Sequence, residues 1–338
     1  MKNRTISRRQ MLTVVFLSLF SLGTEALFQR LARVGAAGWL CPLVAGLAAV
    51  ILVYLVGRRW RDHAKEGKNR VLAGGLLLWG LFFGGAQSCR IGVRLSDSLG
   101  ASPVFMIALL LLLAGCMAAG GLPAFARACE IFLLAVGSGL ALILLGGLFR
   151  LRWDWVLLWT PQELAKVPMG ALECLGLLAV GCYALILIDD VTPERGSLGQ
   201  ICWGVGRIFA LLGAVGILVL GRFGAALTGH MERPFFQMVS GLGLEGAFQR
   251  LEQLASALWV LGDLALLGFL LLALVRLTAW TAATEEQRGW TWPLAGILFL
   301  LALPIGYWQD VLAGPVLWVG NLAAGGLILA CFAAKKKK

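Results

Sequence analysis

The chain is a succession of long apolar runs divided by short polar segments. Runs long enough to span a bilayer core, which takes about 20 residues of helix, fall at roughly 11–33, 36–57, 71–93, 103–122, 124–149, 169–189, 200–222, 253–279, 290–308 and 312–334. They predict about ten transmembrane helices in one domain, 1–338. The fourth and fifth runs are divided near Pro123 and the last two near Asp310. Five runs precede the polar stretch around residue 160 and five follow it. An odd number of spans per half forces the second half to insert upside down relative to the first, as in inverted-repeat transporters. The pattern therefore predicts an all-α integral membrane fold with a 5+5 inverted repeat, repeat one about 8–150 and repeat two about 169–334. No soluble domain or low-complexity linker interrupts it.

Composition agrees with the membrane class. Of 338 residues, 59% are hydrophobic and 14% charged, against about 25% charged in soluble domains, and the mean hydropathy is +0.85. The net charge of +11 does not indicate nucleic acid, because the basic residues lie between apolar runs and form no basic face. They read as orientation signals. With the N-terminus inside, cytoplasmic segments hold eighteen Lys and Arg and external segments ten, the decisive loop being the six basic residues from Arg58 to Arg70. Both termini are thus expected in the cytoplasm, with Lys335 to Lys338 as a membrane-edge anchor. The first run follows Lys2, Arg4, Arg8 and Arg9 but lacks a small-residue cleavage site, so it reads as a retained helix. The Trp residues at 153, 155 and 159 suit an interfacial belt in an external segment, 150–168, whose Thr160-Pro161-Gln162-Glu163 reads as a turn. A second external segment spans 223–250.

Eight cysteines are present (Cys41, Cys89, Cys116, Cys129, Cys174, Cys182, Cys202 and Cys331), with no CxxC pair and only two histidines, His63 and His230. No metal site, redox motif, nucleophilic triad or phosphate loop is legible, so neither an enzyme nor a cofactor is expected. Chemistry is sought instead in charges inside apolar runs, which are costly there and mark function or pairing. Glu25, Glu130, Glu173 and Asp263 are the carboxylates, and Arg207 is expected to need one of them as a partner. Helix 1 carries Ser21, Gly23, Thr24 and Glu25 in mid-run. Helix 6 carries Glu173 with Gly176, Gly181 and Tyr183. Each half so has a glycine beside a carboxylate, readable as a broken helix lining a midplane site or as close helix packing. Gln87, Arg90 and Arg94 share one face of helix 3, either as a cationic vestibule or as arginines snorkelling at a helix end. The candidate ligand-binding residues are Ser21, Gly23, Thr24, Glu25, Gln87, Gly181 and Tyr183.

Two stretches resemble one family. Ile6-Ser7-Arg8-Arg9-Gln10-Met11-Leu12, followed by Leu22-Gly23-Thr24 in mid-run, is similar to the start of spore germination permeases, the B subunits of nutrient germinant receptors. Gly246-Ala247-Phe248-Gln249-Arg250-Leu251-Glu252-Gln253-Leu254, running on to Trp259, resembles that family's approach to helix 8. Helix 1 departs from the pattern, with Glu25 after Gly23-Thr24 and no proline before Pro42. The resemblance implies an amino acid–polyamine–organocation (LeuT-like) fold with broken helices 1 and 6 in the spore inner membrane. It also implies a small nutrient ligand, typically an amino acid, and A and C partner subunits. A proton- or sodium-coupled amino acid transporter is the second expectation, and a ligand-free scaffolding subunit the third.

Overall fold

The computed structural model describes residues 5–60, 70–191, 198–241, 251–282 and 288–333. The lysine tail, His63, most of the basic loop and the Gly246–Arg250 stretch lie outside them. The described chain is helical and has no strand, only an isolated bridge between Ile6 and Val191.

The first half comprises α1 (Arg8–Ala26), α2 (Phe28–Ala32), a 3₁₀ turn (Ala36–Trp39), α3 (Leu40–Trp60), α4 (Arg70–Leu99), α5 (Pro103–Ala119) and α6 (Leu122–Leu148). A short α7 (Asp154–Leu157) leads to the second half. There α8 (Pro161–Leu178) continues as a 3₁₀ helix (Ala179–Asp190), followed by α9 (Leu198–His230), α10 (Pro234–Ser240), α11 (Leu251–Ala282), α12 (Thr291–Ala302), α13 (Ile305–Ala313) and α14 (Val316–Ala333). Among the described residues, six helical stretches are long and apolar enough to cross a membrane: 36–55, 70–99, 122–148, 161–187, 199–230 and 257–282. Shorter apolar helices cover 103–119, 291–302 and 316–330. The protein is an α-helical integral membrane protein. Helix α1 is the exception to the hydropathy rule. Most of its residues from Met11 to Glu25 are buried in protein, and its Ser21 and Thr24 meet Asp263 and Trp259 of α11.

Local chemistry sets the boundaries. Ser7 caps α1: its Oγ accepts from the Gln10 amide while Gln10 Oε1 accepts from the Ser7 amide, a reciprocal capping box. Gly121, at φ 81°, turns the chain between α5 and α6, two residues before the expected divide at Pro123. The divide expected near Asp310 lies elsewhere. Pro304 lacks an amide donor and ends α12, and the Trp308 indole donates to the Leu301 carbonyl near this break at 2.7 Å. The 150–168 segment also differs from expectation. Thr160-Pro161-Gln162-Glu163 is a capping box that starts α8 eight residues before the predicted run. Glu163 Oε1 also accepts from the Ala36 amide at 3.2 Å, beside Gly35 at φ 107°. Thr160→Ala should therefore cost about 1 kcal/mol. Glu163→Ala should cost more, since it leaves both the Thr160 amide and the Ala36 amide without their carboxylate acceptor. Unfolding midpoints of the two variants in one detergent will rank them.

Several helix contacts of the first half recur in the second. Helix α3 lies on α9, and α4 on α11. Helix α8 contacts α3 as α1 and α2 contact α9. Helix α14 contacts α8 as α6 contacts α1, and α12 contacts α4 as α5 contacts α11. Residue pairs give the directions. Ser21 meets Asp263 and Thr24 meets Trp259, so α1 is antiparallel to α11. Gly80 lies against Leu274 and Arg94 against Asp263, so α4 is antiparallel to α11 as well. Helices α1 and α4 thus run parallel, and their C-terminal halves share a level with the N-terminal half of α11. The short α10 lies at that same end.

A buried charge cluster between α1, α4 and α11

Three interior helices bring four charges together at this level. On α11, Asp263 is completely buried. Ser21 of α1 donates to its Oδ1 at 2.5 Å, and Arg94 of α4 donates to its Oδ2. On α1, Glu25 lies 3.7 Å from Arg94 and 3.3 Å from Arg90. Helical spacing places Arg90 and Arg94 one turn apart on one face of α4, with Gln87 a further turn along it. Two carboxylates face two guanidiniums, so the cluster is neutral as a whole. Burying charges costs several kcal/mol per ion, offset only when each is paired and hydrogen-bonded.

Here the pairing is complete and the hydrogen bonding is not. Glu25 Oε2, Gln87 Oε1, Arg90 Nε and Nη2, and Arg94 Nη1 are buried and make no hydrogen bond within the protein. The surrounding hydroxyls, by contrast, are satisfied. Ser18 donates to the Val14 carbonyl at 2.9 Å, and Thr24 to the Phe20 carbonyl at 2.9 Å while accepting from the Trp259 indole at 2.7 Å.

An aromatic roof closes the cluster. Phe235 and Phe236 of α10 pack on Trp259 with ring centroids 4.7 and 6.1 Å apart, and the Arg94 guanidinium lies 5.0 Å from the Phe236 ring centre. Arg233, just before α10, bonds Asp97 of α4 at 2.7 Å. Behind α10, Arg150 and Arg222 both donate to the Gly241 carbonyl at 2.8 Å. The gap beside Ser21, lined by Leu17, Phe20, Val136, Trp259 and Gly262, is too narrow for a water molecule.

Of the sequence candidates, Ser21, Thr24, Glu25 and Gln87 come together here. Gly23 and Gly181 do not. Gly23 remains helical, and the interruption falls at Leu27 instead. A Cβ on Gly23 would meet Leu212 at 2.8 Å, and one on Gly181 would meet Leu19 at 2.9 Å, so both glycines serve close helix packing. Tyr183 is buried far along α4, donating to the Leu76 carbonyl at 3.0 Å. The Tyr183 hydroxyl lies beside Gly80, seven residues and about 10 Å along α4 from Gln87 at 1.5 Å per residue. The helix 6 region does change character, since α8 gives way to the 3₁₀ helix at Ala179, and mid-helix 3₁₀ stretches often mark hinges.

The charge pairing differs from the sequence expectation. Arg207 is exposed and stacks on Trp203 at 4.8 Å; the arginines that answer the buried acids are Arg90 and Arg94. These are neither snorkelling nor an open vestibule. Glu173 pairs with Arg30 at 3.8 Å, and Arg30 also donates to the Gly314 carbonyl. Glu130 is exposed and accepts from Gln10 at 3.2 Å. Among the described residues, no group of three or more His, Cys, Asp or Glu is placed to hold a metal. No protein-family model matches the chain, and no curated protein matches it.

Proposed function

We propose that this protein is the ligand-binding membrane subunit of a spore germinant receptor, sensing a small nutrient such as an amino acid at the Glu25–Arg90–Arg94–Asp263 cluster and acting with A and C partner subunits. The observation that carries the binding role is the incomplete hydrogen bonding of a buried, neutral charge cluster. Ordinary interiors satisfy such groups, and a polar ligand supplies what is missing. The germination role rests on the resemblance at Ile6–Leu12, Leu22–Thr24 and Gly246–Leu254.

Ten spans in a 5+5 repeat belong to the same reading. Part of the packing supports it, because the α3–α8, α8–α14 and α4–α12 contacts become α1–α9, α1–α6 and α5–α11 when each helix is exchanged for its counterpart five spans on, whereas the α1–α11 contact has no α4–α8 counterpart of similar extent among the described residues. Cytoplasmic termini gain support too. Arg30, Arg90 and Arg94 are engaged in ion pairs, so three of the ten external basic residues are no loop signals at all. The charge cluster then faces the outer side. Ligand acts by favouring an open arrangement of α10 over the closed one, a shift of population passed to the partner subunits. No catalytic step is assigned.

Spores carrying Glu25→Gln at normal protein level should lose most of their nutrient-triggered germination. An unchanged dose response would take the cluster out of sensing. The second reading is a coupled amino acid transporter, favoured by one observation: Asp263 is a fully buried carboxylate bridging α1 and α11 through Ser21, the position of a proton- or cation-coupling group. Concentrative amino acid uptake by the purified chain in proteoliposomes would establish that reading over the receptor.

A further inference from the structure

We propose that the seam between α1 and α9, at the end of the bundle where both helices begin, holds the phosphodiester headgroup of an anionic membrane lipid. Arg9 and Arg207 take the phosphate, and Leu12 and Phe16 receive an acyl chain. The site lies outside the buried charge cluster and stands whatever that cluster binds.

Three helices begin together here. Gly204 of α9 lies against Leu12 of α1, and Leu212 against Gly23, so α1 and α9 run parallel. Glu130 of α6 accepts from Gln10, while Val136 lies beside Leu17 and Phe20, so α6 is parallel to α1 as well. Helices α6 and α9 meet each other at Gly147 and Leu218, towards their far ends. Nearer their starts, both pack on α1. In that part of α1, Arg9 is exposed and Leu12 and Phe16 are half-buried, whereas Met11, Thr13, Val14 and Val15 are buried. Spaced three and four apart, Arg9, Leu12 and Phe16 form one accessible stripe along the helix.

The charge at this end is one-sided. Arg8 and Arg9 open α1, and Arg127 lies in the second turn of α6. Arg207 is further along α9, but a helical side chain leans towards its helix start. Its guanidinium lies 4.8 Å from the ring of Trp203, one turn back, which is 63% exposed and adjoins Gly204 at the level of Leu12. Among the described residues none of these four arginines is ion-paired. Glu130, already engaged by Gln10, is the one carboxylate in the described first three turns of the three helices. A guanidinium left beside hydrocarbon is costly. A single arginine escapes by snorkelling to water. Four on three adjacent helices, at the mouth of an apolar stripe, instead make a basic pocket at a membrane face, the kind of place that holds phospholipid headgroups. Phosphate matches the guanidinium fork. A carboxylate within a partner's membrane helix would answer Arg207 and leave the arginines at the helix starts unanswered.

The test uses the full chain in phosphatidylcholine nanodiscs into which phosphatidylglycerol is titrated, with the unfolding midpoint and the lipid retained in native mass spectrometry as readouts. Phosphatidylglycerol should raise the midpoint saturably and stay bound. Arg9→Gln and Arg207→Gln should each weaken its binding about fivefold, the worth of one basic contact at a membrane surface. Midpoints in pure phosphatidylcholine report whether each variant folds; if Arg207→Gln does not, Arg9→Gln, at an exposed helix start, carries the comparison. Glycerophosphate, which has the headgroup chemistry but no chain, should give no shift at the same concentration. An equal shift with it would assign the arginines to a free anion and overturn the lipid. Equal retention of phosphatidylcholine, or undiminished phosphatidylglycerol binding in the folded variants, overturns it too. So does a photocrosslinker at the exposed Ala210 that captures a protein helix, from a second copy or another chain, in place of lipid.

Discussion

Arg94→Leu is expected to destabilise the protein by about 3–5 kcal/mol, the cost of breaking a buried ion pair by removing one partner. Arg94 is 3% exposed, faces Asp263 at 0%, and lies 3.7 Å from Glu25. Leucine in its place leaves two carboxylates against Arg90 alone, and Asp263 keeps only the Ser21 hydroxyl. Asp263→Leu strands Arg94 instead, though Glu25 remains beside it, so its penalty should be the smaller. The double variant Arg94→Leu with Asp263→Leu restores neutrality and should be more stable than either single variant. That non-additivity separates a charge pair from two independent packing contacts. Arg94→Lys keeps the charge but neither the planar fork nor its stacking on Phe236, and should fall between. Reversible denaturation in mixed micelles measures all four. Strictly additive losses would mean that the pair does not hold α4 to α11.

Most of the helices were legible because a bilayer imposes a length on apolar runs that no soluble fold imposes. What hydropathy misses is where a helix outlasts its apolar stretch. The third run was cut at residue 93, where Arg94 begins a charged tail, yet α4 continues to Leu99, with Arg94, Leu95 and Ser96 buried and Arg94 paired with Glu25 of α1 and Asp263 of α11. The sixth run began at 169, yet α8 starts at Pro161. There the Thr160-x-x-Glu163 capping pattern was visible and was read as a turn.

The site was half legible for the same physical reason. Glu25 and Asp263 stand out, because a carboxylate in the middle of an apolar run is costly wherever it lies. Their partners do not. Arg94 is 69 positions beyond Glu25 and 169 before Asp263, and an arginine near the end of an apolar run looks the same whether it snorkels outward or turns in. Arg207 shows the converse, looking buried by its position in the run while its face of α9 is exposed. For Gly23 and Gly181 the missing information was the neighbour. Their sequence cannot say that Leu212 and Leu19 fill the space a side chain would need.

Trp259→Ala should cost about 3–5 kcal/mol, as large aromatic truncations in well-packed interiors do, and it should release α10 specifically. Trp259 is 1% exposed and is the piece that α1, α10 and α11 share. Its ring packs on Phe20 at 6.0 Å and on Phe235 at 4.7 Å, and its indole donates to Thr24 at 2.7 Å. Truncation removes the platform on which Phe235 and Phe236 rest, and with them the lid over Arg94. The hydrogen bond alone is worth less. Trp259→Phe should cost about 1 kcal/mol beyond the change in ring size, and Thr24→Val, which leaves a buried indole donor without an acceptor, about 1–3 kcal/mol. Combining Trp259→Phe with Thr24→Val removes both partners and should cost less than the sum. Hydrogen exchange locates the effect. In Trp259→Ala, amides 236–240 should lose protection while those of the α3–α9 pair, which does not touch Trp259, keep theirs. If α10 stays protected, the Arg233–Asp97 bond and the two arginines on the Gly241 carbonyl hold the roof without the tryptophan, and opening the cluster would have to begin by breaking those polar ties.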